Sequence, residues 1–179
     1  MNNDTKNISK FLSLVLRHAP ETIKLSLDVN GWADVEELLK QCNAFQKKLD
    51  KETLEQVVET NDKKRFAFND DKTKIRASQG HSVAVDLDIK PITPPDILFH
   101  GTVEKFLEAI KKEGLQKMSR QHVHLSKDIE TATKVASRRG KPVILSIETQ
   151  RMVEDGYLFY CSENGVWLTD EVPVAYIKF

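Results

Sequence analysis

Residues 64–77 run Lys64-Arg65-Phe66-Ala67-Phe68, then Asn69-Asp70-Asp71-Lys72, then Thr73-Lys74-Ile75-Arg76-Ala77. Two short alternating segments thus flank a polar turn, the pattern of a β-hairpin. What precedes the hairpin decides its meaning. Ile8, Phe11, Leu12, Val15 and Leu16 fall on one face of a helix over residues 7–18, which Pro20 ends. Asn30-Gly31 makes a turn, Trp32 is an apolar anchor, and Asp34 with Glu37 resembles a capping box opening a helix through Val35, Leu38 and Leu39. A third helix is expected from Asp50, carrying Leu54, Val57 and Val58. Three helices followed by a hairpin read as a winged helix, and residues 81–90 are expected to add a strand.

The stretch Lys90-Pro91-Ile92-Thr93-Pro94-Pro95 suits a boundary better than a core element, which divides the chain into lobes 1–90 and 91–179. The second lobe changes character. Apolar strands are expected at Ile97 to His100, His122 to Leu125, Val143 to Ile147, Tyr157 to Tyr160, Val166 to Leu168 and Val174 to Ile177. Two helices interrupt them: Val103 to Lys112, stopping at Gly114, and Ile129 to Arg138, with Asp128 as its N-cap and Gly140 and Pro142 beyond its end. The fold class expected is α+β, with a mixed sheet in the second lobe.

Composition narrows the function classes. The 179 residues are 40% hydrophobic and 30% charged, as in a soluble globular protein. No apolar run approaches the roughly 20 residues of a membrane span, and the opening residues lack the apolar stretch of a signal peptide, so a cytoplasmic protein is expected. Cys42 and Cys161 stand far apart with no zinc-type spacing, and both are expected to be buried thiols; no metal is expected. Basic and acidic residues balance at 27 each, and residues 1–80 carry 14 against 13. A broad basic field for long nucleic acid is thereby excluded, and phosphate binding must rest on small arginine groups. No coiled-coil seam is present, and a monomer is expected.

Several residues could carry chemistry, each with an ordinary alternative. Arg17 and His18 end the first helix, where a cationic pair also complements the helix dipole. Arg65, read as part of the strand Lys64 to Phe68, lies on the face opposite Lys64 and Phe66, where a solvated wing would also place it. Arg138 and Arg139 close a helix and could simply cap it. Converging arginines would nevertheless suit a phosphomonoester, because the guanidinium fork donates paired hydrogen bonds and stays charged. A histidine among them could carry a proton near neutrality. His100-Gly101-Thr102 sits at the end of a strand, and His124 with Ser126 lies on another, where a core imidazole is the plain reading.

Taken in order, Leu16 to Pro20, Asp28 to Trp32, Lys64 to Phe66, Ile75 to Ser82, His100 to Thr102, Val123 to Ser126, Arg138 to Val143 and Gly165 to Thr169 resemble the RNA 2'-phosphotransferase family, also known for tRNA 2'-phosphotransferase activity in tRNA splicing. The likeness covers nearly the whole chain. It implies a winged-helix lobe that engages RNA carrying an internal 2'-phosphate, an ADP-ribosyltransferase-like lobe that binds NAD⁺, and an active site between them. It further implies a catalytic set of Arg17, His18, Arg65 and Arg138. His100, Gly101 and Thr102 would meet the nicotinamide ribose and diphosphate of NAD⁺, His124 would take the second position of the transferase triad with Ser126 nearby, and Val166 would fill the third. The Gln79-Gly80-His81-Ser82 segment would lie near substrate, although its residues by themselves predict no contact. Many members have Arg-His-Gly where this chain has Arg138-Arg139-Gly140, and helical geometry, at about 100° per residue, would turn only one of the two arginines inward.

The reaction implied is transfer of the 2'-phosphate to NAD⁺, through an ADP-ribosylated RNA, releasing nicotinamide and ADP-ribose 1'',2''-cyclic phosphate. Two other readings stay open: an ADP-ribosyltransferase that acts on nucleic-acid terminal phosphates and stops there, and a non-catalytic winged-helix nucleic-acid binder. The absence of an evident catalytic glutamate at Val166 argues against protein modification as the main task.

Overall fold

The computed structural model describes residues 3–179, which fold as six α-helices and a set of small antiparallel sheets. They divide into two compact units, one ending at Asp88 and the other comprising Ile89–Phe179.

In the first unit, α1 (Asn3–Arg17) turns Leu12, Val15 and Leu16 fully inward, while Ile8 and Phe11 pack at its margin. A 3-10 turn at Pro20–Ile23 replaces further α-helix, since Pro20 lacks the N–H that would continue the ladder. Helices α2 (Val35–Ala44) and α3 (Lys51–Thr60) start at Asp34 and Asp50, whose carboxylates accept from the amides of Glu37 and Thr53 at 2.9 and 2.7 Å. The box at Asp34 is half formed. Glu37 turns away and accepts from the Ser26 amide at 3.3 Å. Strands β1 (Ala33–Asp34), β2 (Phe66–Phe68) and β3 (Lys74–Ala77) make one sheet in the order β1-β3-β2, with Phe66 opposite Ala77 and Ala33 opposite Ile75. Ala33, Phe66, Ile75 and Ala77 thereby join Leu38, Leu54 and Val57 in one core.

Two expectations for this unit are corrected. Residues 81–90 form no strand, although Val83, Val85 and Leu87 alternate as one would. The amides of Ser82 and Val83 donate to the Arg17 carbonyl and that of Asp86 to the Val29 carbonyl, so the segment is held by a helix end and a turn instead of a neighbouring strand. Strand β2 begins at Phe66, not Lys64, because Lys64 closes a turn onto Asn61 with φ at +42°. The alternation argument for Arg65 therefore fails.

The second unit is built on β4 (Leu98–Val103), followed by α4 (Glu104–Glu113), β5 (Leu115–Gln116), β6 (Val123–Leu125), α5 (Ile129–Ala136), β7 (Pro142–Ile147), α6 (Thr149–Glu154), β8 (Tyr160–Cys161), β9 (Trp167–Thr169), β10 (Glu171–Val172) and β11 (Ile177–Lys178). Three antiparallel sheets result, ordered β11-β7-β4, β6-β9-β8 and β10-β5. Paired amide bonds between Phe99 and Ser126, both 2.8 Å, join β4 to β6. Leu98, Leu125, Leu145, Ile147, Met152 and Phe159 fill the space between these layers.

Here too some boundaries differ from expectation. The strand sought at Tyr157 to Tyr160 lies at Tyr160–Cys161, and Val174 to Ile177 is a 3-10 turn that becomes strand only at Ile177. Helix α5 stops at Ala136, leaving Arg138 and Arg139 in the turn beyond it, where the Arg139 amide donates to the Ala136 carbonyl at 2.9 Å. Cys42 is buried, and burial pushes its thiol up to about 11, whereas Cys161 is only half-buried. No helix among the described residues is long and apolar enough to cross a membrane.

Candidate functional site

In the first unit, one loop touches Arg17, His18 and Arg65. The loop is Ser78–Val83, which leaves β3 and returns across the end of α1. Its first residue donates its amide to the Arg65 carbonyl at 2.9 Å. Four residues on, the amides of Ser82 and Val83 both donate to the Arg17 carbonyl, at 2.9 and 3.3 Å, satisfying one of the carbonyls that a helix end leaves open. Ser82 also brings its hydroxyl to 2.9 Å from His18 Nδ1.

Arg65 is pinned from its other side by Asn61, a buried residue at the end of α3. The Asn61 side-chain oxygen accepts from the amides of Lys63 and Arg65, at 3.2 and 3.3 Å, and its nitrogen donates to Ser9 on α1 at 3.1 Å. Asn61 thus joins the turn before β2 to the helix that carries Arg17.

Within the loop, His81 is buried, with 1% of its surface exposed and neither ring nitrogen hydrogen-bonded within the described residues. Burial, followed by the charges of Arg17, Arg76 and His18, drives its pKa down to about 4, so the ring is neutral at working pH. The turn Asp28–Trp32 shapes the space for this ring. Asp28 accepts from the amides of Asn30 and Trp32, and Gly31 takes φ of +79°. A Cβ at Gly31 would stand 3.3 Å from His81 Nε2, so glycine is favoured by both its backbone angle and its neighbour. Trp32, expected as an apolar anchor, is half-buried and stacks under Arg76, whose guanidinium lies 4.4 Å from the ring centroid. Arg76 reaches on to the Leu87 carbonyl at 3.4 Å.

In the second unit the bridge between Phe99 and Ser126 sets His100 beside His124. His100 Nδ1 lies 3.0 Å from the His124 carbonyl, which can only accept, so the proton sits on Nδ1 and Nε2 is bare in the neutral ring. Arg120 Nη1 lies 3.1 Å from His124 Nδ1, and a guanidinium can only donate, so the His124 proton sits on Nε2. Burial lowers the His100 pKa, the bond to the His124 carbonyl partly offsets this, and the Arg139 charge lowers it further. Arg120 is displaced below the usual arginine range by desolvation and then by Arg139. Of the adjacent arginines, Arg139 acts on His100 and Arg120 through its charge, and both Arg138 and Arg139 are exposed in the same turn. With both outside the helix, the rotation of about 100° per residue does not decide between them.

Gly101 and Thr102 serve a packing purpose in this arrangement. A Cβ on Gly101 would fall 2.0 Å from the Ala132 carbonyl oxygen, so the bare backbone lets α5 lie directly on β4. Thr102 is 6% exposed and pairs with Val143 across to β7. Ser126 is half-buried, and Val166 donates its amide to the Ser162 hydroxyl at 3.1 Å. Sequence reasoning placed His81 and Ser82 near the site only through the family likeness and missed Arg76 and Arg120, because none of their contacts follows from periodicity.

The chain matches the family described as "RNA 2'-phosphotransferase, Tpt1 / KptA family" over residues 3–171. Three relatives bear the name "Probable RNA 2'-phosphotransferase". That of Flavobacterium johnsoniae is 64% identical over 99% of this chain and 97% of its own length. That of Fusobacterium nucleatum is 58% identical over the whole of both chains. That of Burkholderia pseudomallei is 59% identical over 96% of this chain and 93% of its own. Agreement of this extent, together with the ordered motifs on both units, means that the chain belongs to the RNA 2'-phosphotransferase family.

Proposed function

We propose that this transferase is NAD⁺-dependent, that its first unit is a winged-helix element engaging RNA with an internal 2'-phosphate, and that its second is an ADP-ribosyltransferase-like element binding NAD⁺. One observation supports this above others: Ser78–Val83 binds Arg17, His18 and Arg65 by main-chain or side-chain hydrogen bonds. Residues far apart in sequence are thereby held by a short stretch of backbone, which is the preorganisation that recognition of a phosphoryl group requires.

In the reaction, a 2'-phosphate oxygen attacks the anomeric carbon of the nicotinamide ribose. The carbon–nitrogen bond breaks, and nicotinamide leaves with its electron pair. The 2''-hydroxyl of the same ribose then attacks phosphorus, and the bond from phosphorus to the RNA 2'-oxygen breaks. That oxygen takes a proton, giving RNA with a free 2'-hydroxyl and ADP-ribose 1'',2''-cyclic phosphate. Arg65 and Arg138 clamp phosphate oxygens. Arg17 and His18 orient the group, with His18 as proton donor in the second step. His100, His124 and Ser126 meet NAD⁺, and Gly101 and Thr102 fix the strand from which His100 projects. The enzyme acts in the cytoplasm as a monomer, and a tRNA splice junction is one source of such a phosphate.

The test is a short RNA with an internal 2'-phosphate incubated with NAD⁺ and followed by mass spectrometry. Nicotinamide and the cyclic phosphate are expected in equal amounts. Accumulation of ADP-ribosylated RNA without cyclic phosphate would convert the assignment to simple ADP-ribosylation. RNA binding with no nicotinamide release would leave only a nucleic-acid binder.

A further inference from the structure

His18 directly follows α1, its amide donates to the Leu14 carbonyl at 3.0 Å, and its side chain is exposed. A neutral imidazole can carry its proton on either ring nitrogen, and a fixed partner on one of them selects between the two. Ser82 is positioned to do so. Its hydroxyl lies 2.9 Å from His18 Nδ1, and its own amide donates to the Arg17 carbonyl, one residue before the histidine. Backbone and side chain of Ser82 therefore hold the same short segment, and the hydroxyl cannot drift relative to the ring it contacts. The loop is anchored at its other end by the amide of Ser78 on Arg65 and from below by His81, whose burial leaves little room to shift.

We infer that Ser82 is a positioning residue for His18: its hydroxyl donates to Nδ1 and thereby keeps the exchangeable proton on Nε2. A hydroxyl suits this task because it both donates and accepts. It donates to the bare Nδ1 of the neutral ring and accepts from Nδ1–H once the ring is doubly protonated, so the bond survives while Nε2 gains and loses its proton. A carboxylate at this position could only accept, and would draw the proton to Nδ1 in the neutral ring. The role in turnover rests on the proposed reaction, in which His18 donates a proton; the tautomer does not.

The experiment has two arms. Full-length protein with ¹⁵N-labelled histidine is studied by long-range proton–nitrogen correlation, the His18 signals being identified by their loss in His18→Gln. Above the titration of the ring, the wild-type protein should show Nε2 protonated and Nδ1 bare. Ser82→Ala, which keeps the amide that docks the loop, should show averaged signals of both tautomers, and Ser82→Thr should restore the wild-type pattern. In the second arm, kcat on 2'-phosphorylated RNA should fall roughly tenfold to a hundredfold in Ser82→Ala, with KM for NAD⁺ unchanged and recovery in Ser82→Thr. An identical tautomer pattern in Ser82→Ala overturns the inference, as does wild-type kcat in that variant. If the wild-type protein fails to turn over this RNA, the functional reading falls, and the nitrogen signals still decide the role of Ser82.

Discussion

Lowering the pH should cost the first unit its stability earlier than its carboxylates would dictate, because of His81. The ring is 1% exposed, and its pKa falls from the ordinary 6.5 to about 4 through burial and the charges of Arg17, Arg76 and His18. An unfolded chain takes up this proton near 6.5, while the folded unit refuses it until about 4. The unfolded state therefore binds more protons between those values, so stability is complete above the upper one and drains away as pH falls toward the lower. At about 1.4 kcal/mol for each tenfold, the whole loss is about 3 kcal/mol. The assay is urea unfolding at a series of pH values, read from the indole N–H resonances of Trp32 and Trp167, which report on the first and second units separately. His81→Gln, which cannot titrate, should flatten the Trp32 curve between pH 6.5 and 4 by about that amount. His100 and His122, also held low by burial, load the second unit and should leave the Trp167 curve sloping in both proteins. Equal Trp32 slopes in wild type and His81→Gln would refute the argument, since the proton would then be taken up elsewhere.

Arg65→Ala and Arg138→Ala should each lower turnover of 2'-phosphorylated RNA severely, with circular dichroism unchanged; full turnover in either would remove that residue from the catalytic set. Arg139→Ala should raise the pKa of His100 by removing one of the charges that lowers it, which a proton titration of the ring by NMR would detect. Asn61→Ala should destabilise the first unit by about 1–3 kcal/mol, because Ser9 and the amides of Lys63 and Arg65 lose their shared partner, as urea unfolding would show. Asp50→Ala should lower stability in the same measurement through loss of the α3 cap, and an unchanged urea midpoint would remove the cap from the account.

What the sequence made legible is what repeats or punctuates. The inward face of α1 follows from residues three and four apart, the starts of α2 and α5 follow from Asp34 and Asp128, which cap as expected, and α3 starts at Asp50 as expected. Strands of two residues, such as β5 and β10, carry too few positions for any alternation to register. Val83, Val85 and Leu87 mislead in the opposite direction, since their alternation is real but their backbone is bonded to a helix end and a turn. For the candidate site, residue chemistry nominated Arg17, His18, Arg65 and His100. What holds them could not be foreseen, because the Ser82 contact to His18 spans 64 positions and the His100 contact to His124 spans 24. The argument from helix rotation about Arg138 and Arg139 lapsed because α5 ends before both.

The missing side chain at Gly101 reaches further than its own strand. Because α5 rests on bare backbone there, the altitude of the whole helix over β4 is set by hydrogen, and the arginine pair follows in the turn just beyond that helix. A single methyl group at 101 would act as a shim. It would push against the Ala132 carbonyl and the Ala136 methyl, so α5 and the turn that follows it would have to shift away from β4.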